Sequence, residues 1–345
     1  MALRSIVTVL TVVALLIWQE PEAQQPQHDD LPATNMSSQP APARASLQSV
    51  PPGFAGASVP SNPGAPHATV VGEAVCSSCH SLEKQHFTHT VHAMGLAAAA
   101  RANPGTPVCE ACHGAGSAHA EAPTSKGLII GFTHDSGTDI PVQTGACLAC
   151  HAGGPRNHWL GSVHQRFDLS CSDCHNPMMR TSANGLMAKQ SISETCATCH
   201  RDVRAQFNRR SHMPLAEGQM TCADCHNPHG SLTPALLKTE TVNETCYQCH
   251  AEKRGPFLFE HAPVRDNCLN CHTPHGSNQN SLLVAPIPML CQQCHSHTRH
   301  PNELMLPQQL GGNSSPDERL MGRGCLTCHA QIHGSNHPSG PRFHK

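Results

Sequence analysis

Apolar residues form one continuous run in this chain, close to its N-terminus. The run covers residues 6–18, which is 13 positions, and follows a short positively charged start that ends at Arg4. It is shorter than the roughly 20 apolar residues that a helix needs to cross a bilayer. With the small residue Ala23 as a cleavage point, this order is typical of a secretory signal peptide over residues 1–23, and it predicts export. An uncleaved membrane anchor is the alternative, because Pro21 suits the signal peptidase poorly; no later segment approaches transmembrane length.

The next segment, residues 24–70, has no helical or strand period in its apolar positions. It holds nine prolines among Ser, Ala, Gln and Gly. Such a composition buries too little apolar surface to offset the entropy of ordering the chain. We therefore predict a disordered, proline-rich linker, in which His28 and His67 are solvated bystanders, followed by a folded domain over residues 71–345.

The composition of the whole chain argues against a conventional hydrophobic core. Charged residues make up 13% of the 345 positions, about half the usual share. The aromatic residues are eight Phe, two Trp and one Tyr, against 20 Cys and 28 His. The net charge of -2 provides no basic surface for nucleic acid. A non-protein group is therefore expected to fill the interior.

All 20 cysteines belong to ten copies of the pattern C-x-x-C-H, numbered motifs 1 to 10 in chain order. The first cysteines of the motifs are Cys76, Cys109, Cys147, Cys171, Cys196, Cys222, Cys246, Cys268, Cys291 and Cys325. The second cysteines are Cys79, Cys112, Cys150, Cys174, Cys199, Cys225, Cys249, Cys271, Cys294 and Cys328. The histidines that close the motifs are His80, His113, His151, His175, His200, His226, His250, His272, His295 and His329.

Three interpretations compete for these cysteines. Disulfides suit an exported chain, and zinc ribbons use paired C-x-x-C units, but neither requires a histidine after every second cysteine. Covalent haem attachment explains the whole pattern, because two thiols one helical turn apart form thioethers with one porphyrin edge. The histidine that follows then provides the proximal ligand of the iron. The sequence therefore predicts ten covalently bound haems c, with all 20 cysteines as attachment sites.

The fold class follows from the haem density. Successive motifs begin only 22 to 38 residues apart, so short loops keep successive haems close. We predict a multihaem cytochrome c that is mostly irregular with short α-helices, with little or no β-structure and with haems as the core of an elongated wire. The domain is built from repeats of two haems each, in which a histidine lies upstream of one motif and a second histidine follows it.

This repeat selects the distal ligands of the irons. Nine histidines occupy its positions: His92, His119, His164, His212, His229, His261, His275, His300 and His333. At the tenth position the sequence reads CHNPMMR instead of CHNPHG, so that Met178 stands where a histidine is expected. Either Met178 is a thioether ligand or a surplus histidine completes the set. The surplus of imidazoles favours a histidine, with His337 taken as the tenth and His158 or His134 as alternatives.

The macrocycle stands between the two faces of one iron, so a distal histidine only three residues after a motif is expected to bind a neighbouring haem. Such cross-ligation makes folding depend on haem insertion. The remaining histidines are expected to be exposed and non-ligating; these are His86, His89, His297 and His344.

Three runs carry a family resemblance: VNETCYQCHAEKRGPFLFEHAPVRDNCLNCHTPHGSN, LCQQCHSHTRHP and CLTCHAQIHGSNHPSG. They resemble the DmsE/MtrA family of decahaem cytochromes, over about residues 76–345. The resemblance implies a haem wire with two histidines on each iron. It also implies insertion into an outer-membrane β-barrel porin and electron exchange between periplasmic cytochromes and donors or acceptors outside the cell, including an extracellular multihaem cytochrome. Met178 departs from this pattern.

Three functions remain open at this point. The first is an electron conduit in the periplasm and outer membrane, which a complete set of axial ligands supports because it keeps substrates off the iron. The second is a soluble periplasmic carrier or store of electrons. The third is a multihaem reductase or oxidase, which needs an open iron; all ten motifs end in His, and Tyr247 is badly placed to cross-link a haem. We predict an electron-transfer protein rather than an enzyme, with no preference for the direction of flow or the terminal partner.

Overall fold

The computed structural model describes residues 59–295 and 324–344. The chain divides into two units, Met1–Leu47 and Gln48–Lys345, and all described residues belong to the second. The signal peptide, the linker up to residue 58, His297 and His300 lie outside the described residues, so the expectations for them stay predictions. Within these two ranges, no helix combines the length and the apolar character that crossing a membrane requires.

Short helices separated by irregular segments make up the described part of the chain, and the longest helices have 12 residues. The α-helices are α1 (Glu73–Cys79), α2 (Ser81–Phe87), α3 (Val91–Ala102), α4 (Glu110–His113), α5 (Ser117–Glu121), α6 (Ile140–His151), α7 (Val163–Arg166), α8 (Ile192–Ala197), α9 (Arg201–Phe207), α10 (Cys222–Cys225), α11 (Val242–Tyr247), α12 (Ala262–Asp266) and α13 (Met289–Gln292). Single 3₁₀ turns are Gly154–Arg156, Cys171–Asp173, Pro234–Leu236, Ala251–Lys253, Cys268–Asn270, Asn280–Leu282 and Cys325–Thr327. The β-structure of this part consists of isolated bridges. The predicted fold class, mostly irregular with short helices, is confirmed.

Capping residues explain why several motifs begin a helical turn. A hydroxyl or carboxylate that pairs with the first free backbone N–H groups stabilises the start of a helix. Reciprocal capping boxes of this kind precede motifs 4, 5 and 6, and they join Ser170 to Asp173, Ser191 to Glu194, and Thr221 to Asp224. Each box starts the turn that carries the cysteines.

The chain folds back onto itself after motifs 4, 6 and 8. We call residues 176–188, 227–238 and 273–284 the return loops. Each loop comes back to the histidine of its own motif and forms one antiparallel bridge with it: His175 with Met187, His226 with Leu237, and His272 with Leu283. The return loops place their backbone carbonyls beside the motif histidines.

The hydrophobic core that protein atoms provide is small. Within the described ranges, the buried apolar side chains are Leu96, Ala99, Ile130, Trp159 and Met187. Large apolar residues are exposed elsewhere, among them Phe167 at 75% and Leu232 at 88%. A domain of this size normally buries far more apolar surface than that. This agrees with the prediction that a non-protein group supplies the core.

The predicted linker is too long at its C-terminal end. Residues 59–70 were expected to be disordered, but Asn62 is 7% exposed and donates from its side chain to the Gly127 carbonyl at 3.0 Å. The Thr69 N–H donates to Ser117 Oγ at 2.8 Å. Composition alone did not show that the domain provides acceptors for these polar groups. His67 is exposed, as expected.

Candidate functional site

Each C-x-x-C-H motif places two thiols and one imidazole on a single helical turn. In nine motifs the backbone N–H of the histidine donates to the backbone carbonyl of the first cysteine, over 2.9 to 3.1 Å. Motif 3 forms the last turn of α6. This is the arrangement that thioether attachment to one porphyrin edge requires. All 20 cysteines are described and none forms a disulfide. The motifs therefore provide covalent haem c sites, and the disulfide interpretation is not supported.

Successive motifs lie next to each other, and the contact alternates between the two ends of the motif. The first cysteines lie close enough to shift each other's pKa in five pairs: Cys76–Cys109, Cys147–Cys171, Cys196–Cys222, Cys246–Cys268 and Cys291–Cys325. The second cysteines do so in four pairs: Cys112–Cys150, Cys174–Cys199, Cys225–Cys249 and Cys271–Cys294. The contact between Cys147 and Cys171 raises the pKa of Cys147 and lowers the pKa of Cys171. These contacts join motifs 1 to 10 in chain order.

Seven motif histidines face a second imidazole across a gap of the size of a metal ion. Two imidazoles on one ion, with metal–nitrogen bonds of about 2 Å, have ring centroids about 6 Å apart. The centroids lie 6.1 or 6.2 Å apart in six pairs: His80–His119, His164–His200, His175–His229, His226–His275, His261–His295 and His272–His333. In the seventh pair, His92–His151, they lie 5.7 Å apart and the Nε2 atoms are 3.4 Å apart. These residues fit the two axial positions of a haem iron.

The return loops fix the ring nitrogen that is free to bind iron. The Nδ1 atoms of His175, His226 and His272 lie 2.7 to 2.8 Å from the carbonyl oxygens of Gly185, Ala235 and Ser281. A carbonyl only accepts, so Nδ1 carries the proton and Nε2 keeps its lone pair. This second contact orients a ligating histidine and raises its basicity.

Five further histidines make the same kind of contact. Their Nδ1 atoms donate to backbone carbonyls: His113 to Ile130, His164 to Pro228, His212 to Arg209, His261 to Ile332 and His329 to Arg342, over 2.5 to 2.9 Å. The bonds from His164 and His261 end on the residue directly before His229 or His333. Two candidate distal ligands that face different motif histidines are thereby tied to each other.

All three accepting carbonyls of the return loops come from residues with left-handed backbone conformation, and two of these residues are not glycine. Gly185 has φ of 68°, and Ala235 and Ser281 both have φ of 56°. A non-glycine residue in this region costs about 1–2 kcal/mol, which a hydrogen bond from a ligand imidazole of about 1 kcal/mol partly offsets. The return loops therefore hold strained turns at the places where the histidines are oriented.

Burial lowers the pKa of several of these imidazoles. It does so for the half-buried His113 and for His92 and His229. Burial likewise lowers the pKa of His261, His275 and His333. A neutral imidazole is the form that coordinates a metal ion, and a lowered pKa favours that form.

The distal histidines follow a regular rule. A distal histidine that follows an odd-numbered motif pairs with the motif two further along: His92 with motif 3, His164 with motif 5 and His261 with motif 9. One that follows an even-numbered motif pairs with the motif two before it: His229 with motif 4, His275 with motif 6 and His333 with motif 8. At the N-terminal end His119, which follows motif 2, pairs with motif 1. Each of these seven histidines thus lies opposite the histidine of a motif other than the one it follows, as the sequence suggested.

Two of the predicted distal ligands are placed differently. His212 Nε2 lies 3.2 Å from the Glu217 carboxylate instead of facing an imidazole. His337 accepts at Nδ1 from the Ser339 N–H at 3.1 Å. Neither histidine takes part in a ring pair among the described residues, and their role as ligands stays a prediction.

His344 was expected to be exposed and non-ligating, but it is half-buried and its ring centroid lies 4.6 Å from that of His329. The return loops were missed by the sequence analysis, although an L-M or L-L pair recurs 10 to 12 residues after the histidines of motifs 4, 6 and 8. His86 and His89 are exposed, as expected.

Comparison with known proteins agrees with this geometry. Residues 212–255 and 261–300 each match the family model of the doubled CXXCH motif. Residues 109–192 match the model of the cytochrome c-type protein NrfB-like family. The multiheme cytochrome MtrA of Shewanella baltica (strain OS185) is 42% identical over 233 residues, which cover 67% of this chain and 69% of that protein.

Proposed function

The chain belongs to the family of the multihaem cytochrome MtrA, and from this membership we propose that it carries ten haems c and conducts electrons along them. It is a multihaem c-type cytochrome of electron transfer. The further proposal is that it acts at the outer membrane, in association with a porin, and passes electrons between periplasmic cytochromes and partners outside the cell.

One observation carries this proposal: at seven motifs the motif histidine faces a second imidazole at a spacing that suits the two axial ligands of one iron, and each pair joins two different segments of the chain. An iron with two protein ligands has no open position for a substrate, so it exchanges electrons rather than transforming a bound molecule. The alternating thiol contacts bring each motif against the next in chain order. Together they favour a continuous path over a set of separate centres.

In the mechanism, the chain's own residues hold and orient the groups. A bound haem c supplies a one-electron couple at its iron. The cysteine pair of each motif would hold such a group covalently, and the motif histidine and a distal histidine would bind its iron. Return-loop carbonyls set the tautomer, and burial lowers the pKa of imidazoles such as His229. Because the imidazoles are oriented by the fold itself, they would need little rearrangement on a change of charge.

The location and partners rest on family membership. The resemblance to decahaem conduits supports a porin partner, together with periplasmic and extracellular cytochromes. A second candidate is a soluble periplasmic carrier, since the match of residues 109–192 to a cytochrome c-type family suits a carrier as well as a conduit. Both candidates use the same chain of haem sites and differ only in whether the protein joins a porin.

The test combines mass and conduction. We expect the intact mass of the denatured, mature protein to exceed that of the polypeptide by ten haem masses. Liposomes that hold an internal redox dye should then transfer electrons from an external reductant when cytochrome and porin are both present, and not when either is omitted.

Matched variants connect conduction to the imidazole pairs. His275→Ala removes the partner of motif 6 and should slow dye reduction, whereas His86→Ala, at an exposed position, should leave it unchanged. A cytochrome that never co-purifies with a porin and stays in the periplasm would support the soluble carrier. A deficit of two or more haems would contradict the haem assignment itself.

A further inference from the structure

We infer that Met178 is the axial ligand opposite His113, so that one haem in the chain has a histidine and a methionine on its iron. This inference rests on the proposed haem loading and goes beyond it, because it assigns one ligand to one iron. The observations that carry it are the pairing rule, the return loop that presents Met178, and the engagement of the competing histidines.

The pairing rule points from Met178 to motif 2. Met178 follows motif 4 by the same three residues that separate His229 and His275 from motifs 6 and 8. Those two histidines pair with the motif two places earlier. The same step from motif 4 leads to motif 2, whose histidine is His113. In the described part of the chain, the ring contact of His113 is with Phe132, at 5.1 Å, and not with a second imidazole.

The return loop of motif 4 has the geometry of a ligand-presenting loop. The Met178 N–H donates to the Asn176 side chain at 3.1 Å, as the His229 N–H does to Asn227 at 3.2 Å. At the start of both loops the asparagine N–H donates to a leucine carbonyl. Methionine in place of histidine at this position therefore changes the side chain and leaves the backbone hydrogen bonds of the loop unchanged.

Motif 4 also contacts the segment that covers His113. Ser172 Oγ donates to the Phe132 carbonyl at 2.7 Å, and His134 Nε2 lies 2.9 Å from an Asp173 carboxylate oxygen. Phe132 in turn lies against the His113 ring. These contacts connect the start of the loop of Met178 to the surroundings of motif 2.

The histidines that compete for this position are engaged or exposed. His134 uses its Nε2 atom on Asp173, and His158 is exposed. His337 lies at the other end of the chain, beside motif 10, with Nδ1 bonded to Ser339. Met178 itself is half-buried, whereas its neighbour Met179 is 38% exposed.

The consequence is a step in potential near the N-terminal end of the path. A thioether stabilises ferrous iron relative to a second imidazole, so an iron with a His/Met pair has the higher potential. Haem 2 would then hold an electron more tightly than haems 1 and 3. Electrons would leave it slowly, and it would remain reduced at ambient potentials that oxidise the other irons.

The test is a redox titration of the full mature protein, followed by absorbance, together with the near-infrared spectrum of the ferric form. In the wild type, about one tenth of the haem absorbance should titrate in a separate wave at more positive potential, with a thioether charge-transfer band. Met178→Ala and Met178→His should both lose the wave and the band. Met179→Ala, the matched control, should retain both.

Carbon monoxide distinguishes loss of a ligand from its replacement. Ferrous Met178→Ala should bind about one carbon monoxide per chain, because one iron is open, and Met178→His should bind none. If Met178→Ala fails to mature, the test rests on whether Met178→His loses the positive wave and the near-infrared band. The location is checked by replacing Cys109 and Cys112 with Ala, which should remove the positive wave, whereas replacing Cys147 and Cys150 with Ala should preserve it.

Two results would overturn the inference. One is a wild type without the positive wave and the band, and the other is a Met178→Ala variant that keeps them. Either result would leave a histidine as the ligand of this iron, and the proposed function would stand as long as the mass shows ten haems. A low haem count in the wild type would instead contradict the proposed function.

Discussion

The buried carboxylate of Glu110, between the two cysteines of motif 2, is predicted to hold the N-terminal edge of the domain. The residue is 2% exposed. Its Oε1 atom accepts from the N–H groups of Val71 and Gly116, and its Oε2 atom accepts from Gly72, each at 2.9 Å. Glu110→Ala removes all three acceptors at once, and Glu110→Gln removes the charge and the acceptor for Gly72.

The magnitude follows from these three contacts. A buried donor without a partner costs about 1–3 kcal/mol. Water that enters the vacated space pairs with some of the donors, so we expect Glu110→Ala to lower the local free energy of opening by about 3–5 kcal/mol. Glu110→Gln keeps both bonds of Oε1 and should cost about 1–3 kcal/mol.

Hydrogen exchange of the mature protein measures this effect where it acts. In a peptide that covers residues 69–72, Glu110→Ala should reduce protection by roughly a thousandfold and Glu110→Gln by about tenfold. Glu121→Ala, at an exposed carboxylate, is the control and should exchange as the wild type does. Protection of this peptide that stays within about threefold of wild type in Glu110→Ala would refute the role of the carboxylate.

Two other predictions concern the backbone around the distal ligands. Gly230 has φ of 112°, and a Cβ atom there would meet the His158 carbonyl. Gly230→Ala should therefore lower the free energy of unfolding, measured by chemical denaturation, by about 2 kcal/mol or more. The control is Gly145→Ala, where the new Cβ atom lies in open space; this variant should be neutral or mildly stabilising. Ala235→Gly relieves the backbone strain of a left-handed residue with φ of 56°. It should raise the denaturation midpoint and increase the free energy of unfolding by about 0.5–1 kcal/mol. Ala205→Gly, inside α9, is the control and should lower stability by about 1 kcal/mol. A loss of stability in Ala235→Gly as well as in Ala205→Gly would contradict the strain argument.

The attachment sites and the fold class were predictable because they depend on local chemistry. Two thiols and an imidazole at C-x-x-C-H spacing lie on one helical turn in any surroundings. A low content of aromatic and charged residues indicates that a non-protein group forms part of the core. The distal set was predictable from the repeat, and seven of its members, such as His229 and His275, face a motif histidine in the structure.

The pairing of ligands with motifs depends on tertiary structure and could not be predicted. Nothing in the spacing of His164 shows that it passes over motif 4 to reach motif 5. The left-handed turns at Ala235 and Ser281 were hidden too, since neither residue favours that conformation by itself. The linker boundary was misplaced because Asn62 is ordered by a carbonyl from a distant segment.

The rule that ligands reach two motifs forward or two motifs back has a consequence for how long such a protein can be. Inserting or deleting a unit of two motifs keeps every odd-numbered motif odd and every even-numbered motif even. The histidines on both sides of the change would therefore still face a motif histidine two motifs away. A single inserted motif would exchange the two classes downstream of it and send ligands in the wrong direction. At the N-terminal end the rule needs a different solution, since His119 reaches one motif instead of two. In the described part of the chain the architecture therefore has a period of two motifs, and its length can change in even steps.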